Sequence, residues 1–150
     1  MHCAVADTTH SHFDQTGYLD VGMADALFAD LAAHKIGFDS LILFWLGEPL
    51  IHPEFPRIWA AAIRAATQHG TFEKIEVHTN ATHLTPRVTA SLLNEARVPT
   101  VIHFSLDATD RARYLAVKAK DRFEEVVQNI EHFLKEKARL GAPGPRPVFQ

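Results

Sequence analysis

Cysteine is nearly absent from this sequence. Its 150 residues contain one, Cys3, which excludes an intramolecular disulfide framework and any zinc site built on several thiolates. Charge of one sign is lacking too. The formal net charge is −3, so there is no basic footprint for phosphates, and no nucleic-acid partner is expected. The longest apolar run, Leu41 to Leu46, is of strand size, far short of a membrane span. No basic region leads into an apolar stretch at the N-terminus, so no signal peptide is expected. A Walker or dinucleotide-type glycine loop is missing, as is a G-x-S-x-G nucleophile elbow. The chain is 47% hydrophobic and 22% charged, which excludes a disordered polymer. Its length suits one domain with a real core. These absences leave a soluble α/β domain of a reducing compartment, expected in the cytoplasm and without a membrane partner.

Between two irregular ends the pattern alternates. Val21 to Lys35 sets Met23, Leu27, Phe28 and Leu31 at helical spacing, and Gly37 follows as a stop. Ser40 to Trp45 reads as a buried parallel strand. Pro53 to His69 is helical, with Phe55, Ile58, Ala62, Ile63 and Ala66 on one face and Gly70 at its end. Lys74 to His78 is the next strand. Thr85-Pro86 opens a helix that turns Val88, Leu92 and Leu93 to the core. Thr100 to Phe104 is a third strand. Asp110 to Lys135 reads as a helix, less regular in its first half, with Phe123, Val126, Val127, Ile130 and Phe133 as its stripe. Val148-Phe149 opens a fourth strand after a proline-rich loop over 141–147. Such alternation predicts a parallel sheet with crossover helices, as a barrel or an open sheet, with function where strands end and helices begin.

Three polar clusters follow the three apolar runs: Gly47-Glu48-Pro49, Thr79-Asn80-Ala81-Thr82 and Ser105-Leu106-Asp107. All three are expected on one rim of the sheet. Polar residues are ordinary in strand-to-helix turns as caps and turn formers. A glutamate between glycine and proline is more specific. Gly47 lets a ligand approach the backbone, Pro49 restricts Glu48, and a held carboxylate suits a ligand's ammonium group.

Here the residues carry a family resemblance. Gly47-Glu48-Pro49-Leu50-Ile51-His52-Pro53-Glu54-Phe55 resembles the GGEPLLHPxF signature of radical S-adenosylmethionine (radical SAM) enzymes. Thr79-Asn80-Ala81-Thr82-His83-Leu84 resembles that family's TNGTxL strand end. Ser105-Leu106-Asp107-Ala108 resembles its SLDG. Tyr114, Val117-Lys118, Phe123 and Asn129-Ile130 follow in the family's order. The resemblance implies a full or partial TIM-like (β/α) barrel. It also implies a [4Fe-4S] cluster held by CxxxCxxC, fed by an external electron donor. The cluster binds SAM and cleaves it reductively to a 5′-deoxyadenosyl radical, which attacks a substrate. By the same resemblance, Glu48 accepts from the SAM amino group in a turn shaped by Gly47 and Pro49. Thr79, Asn80, Ser105 and Asp107 face SAM or substrate.

The departures are informative. Cys3 resembles the last cysteine of CxxxCxxC, and two further cysteines and a first barrel strand are lacking. The expectation is the central part of a longer enzyme's radical SAM domain, with residues 1–19 as a remnant of the cluster loop and 20–150 as β/α units, and little activity of its own. Leu46 and Ala81 stand at motif glycines, and Lys118 stands where the family often has arginine. Other readings stay open. One is a non-catalytic, degenerate β/α domain that binds a ligand or serves as an accessory. Another is zinc on His2, Cys3, His10 and His12, whose spacing has no familiar two-pair form. His52 reads as part of a helix-entry turn. His78 and His103 can face a substrate near the rim or sit in the core. His103, Ser105 and Asp107 share a strand face, the arrangement a hydrolase would need.

Overall fold

The computed structural model describes residues 17–44, 47–94, 98–118 and 120–150. Cys3, its histidine neighbours to His12, Trp45 and Leu46 lie outside the described residues.

Helix α1 spans Val21–Ala33 and starts at Asp20, whose carboxylate accepts the Met23 N–H at 3.0 Å. It buries Val21, Ala24 and Phe28, while Met23 and Leu27 are 63% and 54% exposed. Both belong to the apolar set that the sequence puts at helical spacing. The helix presses one side on α2, and among the described residues Met23 and Leu27 of the apolar stripe stay exposed. Strand β1 (Leu41–Leu43) is followed by a single 3-10 turn, Pro49–Ile51. Helix α2 (Phe55–His69) buries the stripe expected of it and ends at Gly70, whose φ of 64° is the left-handed conformation that glycine takes without strain. Strand β2 is Ile75–Thr79. The Thr85 hydroxyl accepts the Val88 N–H at 3.3 Å before helix α3 (Pro86–Asn94), and strand β3 is Thr100–Phe104.

The long helix expected over Asp110–Lys135 is two helices, α4 (Arg111–Lys118) and α5 (Phe123–Leu140). Asp121 stands in the break, where its carboxylate accepts from both Nε (2.9 Å) and the terminal nitrogen of Arg111 of α4. Strand β4 is Arg146–Phe149, two residues longer at its start than the apolar pair Val148-Phe149 suggested.

The strands pair in the order β1-β2-β3-β4, all parallel. Sequential order without reversal keeps successive right-handed crossovers on one face. Accordingly α1 packs on α2, α2 on α3, and α3 on α5. This is an α/β fold of barrel type, part of a TIM-like barrel, and among the described residues the sheet is not closed. The two faces differ. Ile75, Val77, Thr79, Thr100, Ile102 and Phe104 are buried, and Phe104 meets Phe133 of α5 edge-on at 5.6 Å. The alternate residues, Ile42, Glu76, His78 and His103, lie on the other face, where Ile42 is 52% exposed. Among the described residues no helix is long and apolar enough to cross a membrane.

Candidate functional site at the strand ends

The turn after β1 depends on Gly47, whose φ of 146° is a conformation that residues with a Cβ rarely adopt. Pro49 then starts the 3-10 turn, where its missing N–H is no loss, and Glu48 caps it. Glu48 Oε1 accepts the Leu50 N–H at 3.0 Å and the Thr79 hydroxyl at 2.7 Å. Its Oε2 accepts the Asn80 N–H at 2.8 Å. One carboxylate thus fastens the end of β1 to the end of β2. Thr79 Oγ1 accepts the Ala81 N–H at 2.9 Å in turn, and Asn80 Oδ1 accepts from the Thr82 N–H (2.9 Å) and hydroxyl (2.6 Å). His52 is a part of the helix-entry turn, as expected. Its Nδ1 accepts the Glu54 N–H at 3.0 Å, so its Nε2 donates to the Leu19 carbonyl at 2.7 Å, tying the segment before α1 to the turn.

Ala81 keeps the glycine-like turn although it is not glycine. Its φ is 60° and it is fully buried, a position that costs an L-residue about 1–2 kcal/mol. The Asn129 side chain of α5 donates to its carbonyl at 2.9 Å. The turn after β3 is separate. The Ser105 N–H bonds the Thr79 carbonyl at 2.9 Å, which draws Ser105 to the β2 end. Asp107, also at positive φ, is exposed and ion-paired with Lys118 of α4. The rim therefore gathers Gly47, Glu48, Pro49, Thr79 and Asn80, with Ser105 joined through its backbone. Asp107 belongs to another contact.

An open cleft of about 570 Å³ lies beside β1 and this turn. Tyr18, Ile42, Phe44, Pro49 and Ile51 supply apolar walls, and Glu48 is the acidic group among the lining residues. An ammonium group entering there would meet a carboxylate already fixed by three donors, with acceptor capacity left over. These residues fit the amino end of SAM. An iron–sulfur cluster with one SAM-bound iron takes three thiolates, and the sequence holds one cysteine, so this chain's residues do not fit a complete cluster.

Below the rim, on the other sheet face, stands a second group. Glu76 Oε1 meets Lys74 Nζ at 2.6 Å and the Ser40 hydroxyl at 3.2 Å, and Oε2 is 2.9 Å from His103 Nε2. The Lys74 hydrogen bond above all, against the opposing effect of burial and with help from His103, holds the Glu76 carboxyl at about 2 rather than 4.5. His78 stacks between Phe44 (5.2 Å) and His103 (4.0 Å). Desolvation first, then the neighbouring His103, lowers its pKa, which favours the neutral imidazole. The hydrolase arrangement does not form. His103 pairs with Glu76 through Nε2, and Gln150 meets its Nδ1 at 3.3 Å. Sequence reasoning passed over Glu76, although its two-residue spacing from His78 on a strand was the available signal. Asn129 was noted only as a match to a pattern.

The rim carboxylate, the three turns in order and the barrel-type sheet agree with what comparison with known proteins finds. A GTP 3′,8-cyclase of Chlorobaculum tepidum is 32% identical over 120 residues, covering 80% of this chain and 33% of that protein. The chain thus spans about a third of the length of the curated relative it matches. No solved structure matches significantly. The model of the Radical SAM superfamily matches residues 1–140, a stretch that holds all three rim turns and the helices beside them, and the chain belongs to that superfamily.

Proposed function

We propose that this chain is the SAM-holding part of a radical SAM enzyme's catalytic domain, with Glu48 receiving the amino group of SAM. The observation that carries the reading is the Glu48 carboxylate, held by Leu50, Thr79 and Asn80 at the mouth of an open cleft. Gly47 leaves backbone room beside it, and Pro49 limits its movement. Thr79 is buried with its hydroxyl engaged at both ends, so its part is to aim Glu48. Asn80 and Ser105 border the same rim and contribute contacts to SAM or substrate, whereas Asp107 secures α4 through Lys118.

In such an enzyme an iron–sulfur cluster fed by an external electron donor supplies the electron for reductive cleavage of SAM. Cys3 would be one ligand for it, and a complete set takes two further thiolates. The domain reading is therefore residues 1–19 as a remnant of the cluster loop and 20–150 as β/α units of a barrel. A purely accessory, non-catalytic domain is the competing reading.

Two measurements decide. Calorimetric titration of the chain with SAM should show binding that Glu48→Gln weakens by about 10- to 100-fold, the worth of one charge-assisted hydrogen bond. Equal affinity in the variant refutes the role of Glu48. A form extended by C-x-x-x-C-x-x before Cys3 and reconstituted anaerobically with iron and sulfide should release 5′-deoxyadenosine from SAM. No release favours the accessory domain. GTP is the first substrate to offer that form, on the likeness to the cyclase.

A further inference from the structure

The group formed by Glu76, His78 and His103 stands apart from the rim and is not used in holding SAM. Its placement follows from strand geometry. Glu76 and His78 are two residues apart on β2, so both project from the same face. His103 is the direct register partner of His78 on β3. One donor atom from each lies within 4.8 Å of the other two. Two imidazoles and a carboxylate on neighbouring strands form a rigid scaffold for three ligands, and the register cannot slip without burying polar groups under the helices.

The geometry points to a binding site for a zinc-class divalent cation, with Glu76 Oε2, one ring nitrogen of His78 and Nε2 of His103 as ligands and a fourth position open to the uncovered sheet face. The donor set suits the ion, since zinc takes imidazole nitrogen and carboxylate oxygen with an open fourth place in reactive sites. Ligand atoms around a tetrahedral ion with bonds of about 2.0–2.1 Å stand about 3.3 Å apart. The Glu76–His103 separation of 2.9 Å opens to that value by a small rotation, the ion replacing the proton between them. The surroundings are those of an oriented site. Lys74 and Ser40 hold the far carboxylate oxygen and leave Oε2 to face the imidazole. Gln150 reaches His103 Nδ1 at 3.3 Å, and its amide oxygen can accept that ring's proton once Nε2 turns to the ion. Phe44 stacks on one side of His78 and His103 on the other, with the two imidazoles nearly parallel at 4.0 Å, so one ring must turn about its χ2 for both nitrogens to reach one ion. The Glu76 and His103 side chains are 13% and 15% exposed, sheltered yet reachable from the open face. Lys74 competes for the carboxylate charge, so the site binds more weakly than a fully anionic one.

The test uses the full chain carrying Cys3→Ser, which removes the one thiolate. Titration with zinc chloride by calorimetry should saturate at one ion per chain, raise the thermal midpoint and shift the ring NMR signals of His78 and His103. His78→Gln and His103→Gln should each weaken binding by at least about tenfold, the loss that removal of even an outer partner of a metal ligand causes. His69→Gln, at the exposed end of α2, should bind zinc like the parent. Thermal transitions recorded without zinc identify any variant that fails to fold, and Glu76→Gln, equal in volume, then takes its place with the same expected loss. Absence of saturable binding overturns the site. So does binding that folded variants at Glu76, His78 and His103 retain unchanged.

Discussion

The two faces of the sheet are built from the same strands and have opposite characters. Toward the helices stand Ile75, Val77, Ile102 and Phe104, closed off from water. On the other face, one residue further along each strand, stand Ile42, Glu76, His78 and His103, half-buried or exposed, beside one buried residue, Val101. Strand alternation alone separates them. The difference teaches that stability and chemistry are divided here by residue parity. The helix-side residues hold the strands parallel and in register, and the alternate residues of β2, with His103 beside them, carry the ionisable groups.

That division can be broken experimentally. Phe104→Ala, on the closed face against Phe133, should cost about 3–5 kcal/mol in chemical denaturation, as buried aromatic truncations do. His78→Ala, its neighbour across the parity boundary, should cost well under half as much. Equal losses would mean that the second face is a core in its own right. Glu48→Ala joins the comparison at the rim. It deprives Leu50, Thr79 and Asn80 of their acceptor and should lower stability by about 1–3 kcal/mol. A neutral result would show that water replaces the carboxylate.

Ala81→Gly should work in the opposite direction. It relieves a positive φ of 60° at the expense of one buried methyl, so stability should rise by up to about 1 kcal/mol. A loss would mean that the methyl's packing outweighs the strain. The pH dependence that Glu76 ionisation gives to stability is confined to acid. Its carboxyl titrates at about 2 when folded against 4.5 ordinarily, so the unfolded chain binds the proton more readily. The stability it contributes is complete above about pH 4.5 and is lost as pH falls toward 2. Comparing acid unfolding of the parent with that of Glu76→Gln measures this, and parallel curves over that window would refute it.

Much of the architecture was legible in the residues. Short apolar runs alternating with helical stripes, each closed by Gly, Pro or a capping threonine, specify β/α units through interactions between near neighbours. The Gly47-Glu48-Pro49 turn was legible for the same reason, since its conformation is set within four residues. Met23 and Leu27 misled because periodicity shows which side of a helix is apolar and not how much of that side a neighbour covers. The expected single helix over Asp110–Lys135 failed where Asp121 bonds across to Arg111, between α4 and α5.

By itself, then, the sequence determined the order of strands and helices and the position of the rim turns, because backbone propensity and hydrophobic spacing act over one or two turns of chain. Only the tertiary structure decided that Glu48 is clamped to residues 31 and 32 positions away. It alone paired Asn129 with Ala81 across 48 residues and set Glu76 against His103 across 27. Strand register makes those contacts, and register is fixed by the packing of the whole sheet against its helices rather than by any local segment.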